Sequence, residues 1–334
     1  MKHRVLITGG AGFIGSHMTE HMLAQGHRVA VADRFTYAGK GRNLQAVLPQ
    51  IELLIGDLAA GDLPGRCAAW EPDWVIHMAA ETHVDRAISD PDLFMHSNVL
   101  GTTRLLQALH MQATVRPSRI VVYSTDEVFG STRPGVAYAE TQPFNPSNAY
   151  AASKVAVEAV ANSFYRTHEM PISIVRPCNT YGPRQHPEKA IPRFVAQALA
   201  REPMTLYNDG FGSRDWLHTS DHCRAVETVL ERGEPGQAYN MAAGESHTDL
   251  EIASGVAAIV GEFTREIIMT PRLVRGRPGH DKHYLMTSER LRALGWKPIA
   301  DFKAYFADTV RWNMENQDWW QHDGVTYGNA LPAA

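Results

Sequence analysis

Cysteine is scarce in this chain, and the little there is forms no pattern. Only Cys67, Cys178 and Cys223 occur, an odd number without CxxC or Cys/His ligand spacing, so neither a disulfide framework nor a structural zinc site is indicated. A reducing compartment is the expectation. Long apolar runs are missing too. None approaches the ~18 residues of a membrane span, and Val5-Leu6-Ile7 breaks at Gly9-Gly10, too early for the core of a signal sequence. The protein is expected in the cytoplasm, without a membrane partner. An excess of one charge is also lacking, since 32 Lys and Arg stand against 36 Asp and Glu, a net −4 at pH 7. That offers no basic field for nucleic acid or anionic lipid, so any anionic ligand must be held by local groups. The 16 histidines show no HExxH or related spacing, and no metal is expected.

What is present is ordinary globular material. A length of 334 residues with 44% hydrophobic and 20% charged side chains suits two domains, or one large α/β domain with an attached lobe. It excludes disorder, collagen-like repetition and a coiled-coil rod. Short β-branched runs predict strands at 4–8, 28–32, 51–55, 74–78, 119–124 and 172–176. Helical patterns near 15–24, 98–110 and 150–168 lie between them, the signature of a parallel sheet with helices on both faces. After Tyr181 the rhythm changes, with Pro183, Pro187 and Pro192 interrupting it. The reading is α/β: a Rossmann-type doubly wound domain over 1–180, to which some later segments return, and a smaller α/β lobe over 181–325. In that lobe Ser220 or Asp221 is placed to cap a helix running to about Glu231, and Thr248 to Glu251 has capping-box spacing.

The first strand runs directly into Thr8-Gly9-Gly10-Ala11-Gly12-Phe13-Ile14-Gly15 and then a helix. Glycines so spaced allow a tight turn, a close approach to a pyrophosphate and an open helix amino terminus that favours negative charge. Asp33 ends the second strand about twenty residues on, where a carboxylate accepts hydrogen bonds from an adenosine ribose. It would repel a 2′-phosphate, which leans towards NAD, while Arg34, Lys40 and Arg42 stand near enough to soften that repulsion. Asp57 in Gly56-Asp57-Leu58 reads equally as a contact to adenine or as a turn cap.

Chemistry-bearing residues gather after the fifth strand. Thr125-Asp126-Glu127 follows it, and Tyr150 and Lys154 open the next helix on one face. Ligands in open α/β sheets bind at the carboxyl ends of the strands. An ammonium one turn from a phenol can lower the phenol's pKa for proton transfer. Two adjacent carboxylates read either as a solvated acidic turn or, if buried, as an acid beside a base. His77, inside a strand, reads as a satisfied core residue.

These motifs, in this order, resemble the extended short-chain dehydrogenase/reductases, and within them the nucleoside-diphosphate-sugar 4,6-dehydratases of the dTDP-glucose type. The likeness runs from about residue 3 to 316 through TGGAGFIGS, DRFTYAG, GDL, HMAAETHVDRAI, STDEVFG, YAASK, NTYGPRQHPEKAIPRF, RDWLHTSDH, YN and RPGHD. Thr-Asp-Glu at 125–127 is its most discriminating part. The resemblance implies a lyase of deoxysugar biosynthesis with tightly bound NAD that is regenerated each turnover, acting on an NDP-hexose as a homodimer. It implies that Tyr150 takes the 4-hydroxyl proton as hydride leaves C4, aided by Thr125, with Lys154 on the nicotinamide ribose. Glu127 then removes the C5 proton and protonated Asp126 gives a proton to the departing 6-hydroxyl. The implied cofactor contacts are Gly9, Gly12, Phe13, Ile14, Gly15, Asp33, Thr36, Asp57, Leu58, Ala79, Ala80, Asn98, Tyr150, Lys154 and Thr180. Thr82, Asn179, Glu188, Lys189, Arg193, Arg214, Asn240, Arg277 and His280 are implied around the nucleotide sugar, where guanidinium forks suit phosphates.

Some positions depart from the family. Asn179-Thr180 replaces an Asn-Asn pair, Arg176-Pro177 precedes it, and Phe129 stands where Tyr is usual. Arg184 and Arg193 add charge also seen in decarboxylase-like relatives, so a UDP, CDP or GDP sugar stays open. So do a 4-epimerase, a UDP-glucuronate decarboxylase and, from another class, a nucleotide-binding regulator on an inactive scaffold. Trp319-Trp320 reads as a cap on the small lobe or a subunit contact.

Overall fold

The computed structural model describes residues 2–133, 135–265, 270–276, 278–279 and 281–321. Six parallel strands, β1 Arg4–Thr8, β2 Arg28–Asp33, β3 Ile51–Ile55, β4 Trp74–His77, β5 Arg119–Tyr123 and β6 Ile172–Pro177, lie in the order β6-β5-β4-β1-β2-β3. Their side chains alternate between two cores. Val5, Ile7, Val29, Val31, Ile76, Val121 and Val175 face one layer, while Leu6, Ala30, Val75, Ile120, Val122 and Ile174 face the other. Strands buried on both sides need no polar alternation, which is why they read as continuous apolar runs.

Helices cover both faces: α1 Phe13–Ala24, α2 Leu63–Ala69, α3 Val84–Ser89, α4 Pro91–Phe94, α5 Gly101–Met111 and α6 Ala149–His168. The helix expected over 98–110 is preceded by a widened π-turn at Met95–Leu100. Within that turn Asn98 bonds the Glu81 backbone (2.8 and 3.1 Å) and Ser153 Oγ (2.9 Å). A π-turn rotates the chain relative to an α-helix, so a regular α pattern misplaces this start.

Beyond residue 178 come β7 Asn179–Tyr181, β8 Thr205–Tyr207, β9 Ser213–His218, β10 Ala238–Met241, β11 Ser246–Thr248, β12 Arg272–Val274 and β13 His283–Tyr284. β10 returns to the main sheet as its seventh strand, parallel to β6, whereas β9 pairs with β7, β11 and β13 in a second sheet. The later helices are α7 Ala190–Leu199, α8 Thr219–Arg232, α9 Asp249–Thr264, α10 Glu289–Ala293 and α11 Phe302–Glu315. Phe194, Val195, Ile252, Val256, Phe306 and Val310 from α7, α9 and α11 share a separate core.

The capping box at Thr248 is present, with Thr248 Oγ1 accepting from Glu251 N–H at 3.1 Å and Glu251 accepting from Thr248 N–H at 2.7 Å. The other expected cap moves. α8 begins at Thr219 with His218 as its cap, because the Asp221 carboxylate accepts instead from Ile299 and Ala300 N–H (2.9 and 2.8 Å). A tertiary partner overrides the local capping signal. Trp319 stands 4.5 Å from the Arg42 guanidinium and 5.4 Å from Trp312, which ties the segment around Trp319 to the loop after β2. The Trp320 side chain lies outside the described residues. Cys67, Cys178 and Cys223 are free, buried thiols. Among the described residues no helix is long and apolar enough to cross a membrane.

Candidate active site

The cleft opens at the carboxyl ends of β1, β2, β4, β5 and β6, as the topology requires. Gly9 leaves β1 at φ +73, and a Cβ there would stand 2.8 Å from the Ala79 backbone. The first backbone bond of α1 runs from Ser16 N–H to the Gly12 carbonyl at 3.0 Å. The amides of Phe13, Ile14 and Gly15 therefore have no partner within the helix, and these residues line the cleft. At Gly15 a Cβ would lie 2.1 Å from the Gly9 carbonyl oxygen and 2.7 Å from the Gly10 Cα, both of them backbone. Gly15→Ala is expected to cost about 1–3 kcal/mol, read as a lower denaturation midpoint. An unchanged midpoint would mean that the loop yields freely.

Asp33 projects into the same cleft, its carboxylate fixed by Ala11 N–H (2.9 Å) and Phe35 N–H (2.8 Å). Burial raises its pKa against those two amides. Arg34 also lines the cleft and acts on Asp33 as a nearby charge, while its guanidinium bridges Asp57 and Glu81 at 2.8 Å each. Lys40 and Arg42 hold the carbonyls of Trp319 and Asp318 (3.3 and 2.7 Å). Asp57 caps its own turn through Ala59 N–H (2.8 Å), as the turn-cap reading expects, and also lines the cleft. Thr36, Leu58, Ala79, Ala80 and Thr180 line it too.

β5 delivers the acidic pair. Asp126–Phe129 forms one 3₁₀ turn capped by Thr125, whose hydroxyl accepts from Glu127 N–H (3.3 Å) and donates to Asp126 Oδ1 (3.1 Å). Asp126 is 5% exposed, and its Oδ2 has no hydrogen-bond partner among the described residues. Burial first, and the neighbouring Glu127 second, push its pKa up to about 8. The pair is thus no solvated turn, and Asp126 holds a proton at neutral pH.

Tyr150 and Lys154 face the pair from α6. Burial and Glu127 raise the Tyr150 phenol, while a hydrogen bond with Thr125 lowers it. The downward influence thus comes from Thr125, and not from Lys154 as the helical spacing suggests. The Lys154 ammonium instead donates to the Tyr123 carbonyl at 2.9 Å, and burial brings its pKa down to about 8.

At the cleft's other end Thr82, Asn179, Glu188 and Lys189 converge. Lys189 Nζ donates to the Thr82 carbonyl (3.4 Å), and Tyr37 Oη donates to Glu188 (3.3 Å). Not every expected residue joins them. Asn98 is buried behind the cleft wall, its amide held as described above. Arg214 is bound to Asp249 (3.1 Å) and the Asp281 carbonyl (3.4 Å), and it reaches Asp126 only as a nearby charge. Asn240 is fully buried on β10 and donates to the Tyr138 carbonyl (3.2 Å). Arg193 packs on the Phe194 and Tyr207 rings (5.4 and 5.7 Å). None of these four lines the cleft. Arg277 and His280 lie outside the described residues.

Arg184 adds no charge to the ligand side. It forks onto Glu20 at 2.7 and 2.6 Å and reaches His17 Nδ1 at 2.9 Å. His77 bonds Thr8 (2.7 Å) and Thr102 (2.8 Å) through its two ring nitrogens, as a satisfied core residue. Residues not singled out from sequence also line the cleft, among them Glu81, Ser124, Cys178, Gln185, His186 and Trp216. Gln185 and His186 sit inside the NTYGPRQHPEK motif, so position could have found them. Trp216 sits likewise inside RDWLHTSDH, whereas Cys178 carries no such signal.

Known proteins share this fold. The sequence profile of the family described as GDP-mannose 4,6 dehydratase matches residues 6–309. The chain belongs to this family. A dTDP-glucose 4,6-dehydratase of Xanthomonas campestris pv. campestris (strain B100) is 37% identical over 339 residues, covering 97% of this chain and 96% of that protein. The crystal structure of DesIV, a dTDP-glucose 4,6-dehydratase from Streptomyces venezuelae with NAD bound, superposes with a TM-score of 0.88 at 40% identity. That likeness covers 95% of this chain and 99% of DesIV. The UDP-glucose 4-epimerase of Thermus thermophilus in complex with NAD gives 0.85 at 31% identity, over 94% and 99%. Family membership thus bears out the dehydratase resemblance and the Rossmann-type fold.

Proposed function

We propose that the chain converts dTDP-glucose to the dTDP-4-keto-6-deoxy sugar, as a hydro-lyase that keeps NAD bound through the cycle. The observation that carries this reading is the buried Asp126 with one oxygen unpartnered, beside Glu127 and Tyr150, a setting that raises its pKa and favours its protonated form. An epimerase has no use for such an acid, because it only needs a group that exchanges the 4-hydroxyl proton.

The cleft suits the cofactor. The unpartnered amides at the start of α1 would hold the pyrophosphate, and Asp33 the adenosine ribose. Arg34 lines the cleft but is engaged by two carboxylates, Asp57 and Glu81, and Asp33 would repel a 2′-phosphate, which together favour NAD over NADP. Bound NAD supplies a hydride acceptor for C4 and a donor back to C6. Tyr150, with Thr125 beside it, would take the 4-hydroxyl proton, and Lys154 would hold the nicotinamide ribose. Glu127 would remove the C5 proton, acidified by the new ketone, while Asp126 protonates the 6-hydroxyl, so that water leaves across C5 and C6. Thr82, Asn179, Glu188 and Lys189 are assigned to the nucleotide sugar.

The acid sets a pH limit. Only its protonated form can act, so kcat/KM is expected to fall as pH rises through about 8, by about tenfold per unit beyond it. Loss of the Lys154 charge near the same pH acts in the same direction. A rate still level at about pH 10 would contradict the acid assignment.

The test of the function is mass spectrometry of nucleotide sugars incubated with the protein and no added cofactor. Loss of one water from dTDP-glucose supports the proposal. Loss from another member of the panel alone would keep the mechanism and change the substrate. Loss of carbon dioxide from UDP-glucuronate alone would overturn it.

A further inference from the structure

The helix that carries Tyr150 and Lys154 begins at Asn148, and the start does more than begin a helix. Asn148 has extended backbone (φ −146, ψ 168), and its Oδ1 accepts from Ala151 N–H at 2.9 Å. Asn, Asp and Ser cap helices about equally well, so capping alone does not call for asparagine. What asparagine adds is the other half of its amide. Nδ2 donates to Glu127 Oε2 at 3.2 Å. The orientation is unambiguous, because the Ala151 N–H needs an acceptor and the carboxylate needs a donor. With Oδ1 fixed by the cap, the amide plane is set and Nδ2 is aimed.

Three neighbours feel the charge of Glu127, which adds to their burial in raising the pKa of each. Asp126 precedes it in the same turn, Tyr150 faces it from α6 and Tyr284 faces it from β13. The Arg214 guanidinium acts on Asp126 and is bound to Asp249. A neutral N–H donor favours the ionised carboxylate without adding a charge that would also ionise Asp126. We infer that Asn148 is a positioning residue which holds Glu127 ionised and aimed at the substrate, a duty separable from its cap. The inference rests on the reading of Glu127 as the C5 base.

Two variants keep the cap and alter the second bond. Asn148→Ser retains an oxygen for Ala151 N–H and loses the donor. Asn148→Asp retains the oxygen and sets a carboxylate against Glu127. Both are expected to keep the melting temperature and the KM for dTDP-glucose. Asn148→Ser should lower kcat by about ten- to hundredfold, the scale on which misplacing a reacting group acts, and Asn148→Asp by more. Because C4 oxidation precedes the impaired step, the near-ultraviolet absorbance of reduced nicotinamide should rise on adding substrate to either variant. The acidic limb of the pH profile should also move to higher pH. Wild-type kcat in Asn148→Ser, with Glu127→Gln inactive, would overturn the positioning role and leave Glu127 as the base. Full dehydration by Glu127→Gln would overturn the base assignment and the inference with it. A loss of kcat that tracks a loss of melting temperature would reduce Asn148 to a cap.

Discussion

Asp126→Asn is expected to lower product formation by about 10²–10⁴-fold, the usual span for removing a general acid, while oxidation at C4 persists. The substitution is nearly isosteric and replaces a group that the fold already keeps neutral. Asp126 Oδ1 accepts from the Thr125 hydroxyl at 3.1 Å, and an amide oxygen serves there equally well. What the amide lacks is a proton to give. Incubation with dTDP-glucose should therefore show reduced nicotinamide by its absorbance and little loss of water by mass spectrometry. Dehydration at the wild-type rate would defeat the acid assignment.

The same variant carries a stability signature that separates it from simple damage. An aspartate in an unfolded chain ionises near ~3.9, whereas folded Asp126 holds its proton up to about 8. Between those values the folded state binds a proton that the unfolded state has lost, so stability falls as pH rises through the window. The amide of Asp126→Asn does not titrate, and the variant's denaturation midpoint should decline less from pH 5 to pH 8 than that of the wild type. An equal decline in both would place the titration elsewhere.

Sequence and structure agree where chemistry is local. A glycine loop between a strand and a helix dictates its own turn, and Gly9 at φ +73 meets that requirement. Strands buried on both faces read as apolar runs, so β1, β4, β5 and β6 fall within a residue of their expected bounds. Thr125, Asp126, Glu127, Tyr150 and Lys154 come together because each sits beside a strand end, which topology alone brings to one edge. Agreement fails where a side chain answers to a distant partner. Asp221 leaves its cap for Ile299 and Ala300, and Arg34 is taken up by Asp57 and Glu81. Arg184 meets Glu20 across a gap of 164 residues. Arg214 and Asn240 carry motif positions of the family, yet they stand behind the cleft wall. A motif records which residues occur and not which partners within the fold hold them.

Arg176→Met is expected to destabilise the fold by about 3–5 kcal/mol, the cost of leaving one member of a buried ion pair alone. Arg176 and Glu158 are 4% and 1% exposed. They meet as a fork, Nε to Oε1 at 2.8 Å and Nη2 to Oε2 at 2.7 Å, and Nη1 also donates to the Glu140 carbonyl at 3.0 Å. The guanidinium lies 5.0 Å from the Phe129 ring and 5.4 Å from Phe144. Phe129 therefore has a packing role that needs no hydroxyl, which accounts for phenylalanine at that position. The pair fastens α6 to β6 one turn beyond Lys154, so its loss should loosen the helix that presents Tyr150. The double variant Arg176→Met with Glu158→Leu removes both charges and should recover most of the loss, because a buried pair exchanged for apolar side chains of similar volume is often near neutral. Urea denaturation of the wild type, both single variants and the double closes the cycle. A loss below about 1 kcal/mol in Arg176→Met would mean that the fork behaves like an exposed pair, and that other contacts hold α6 against the sheet.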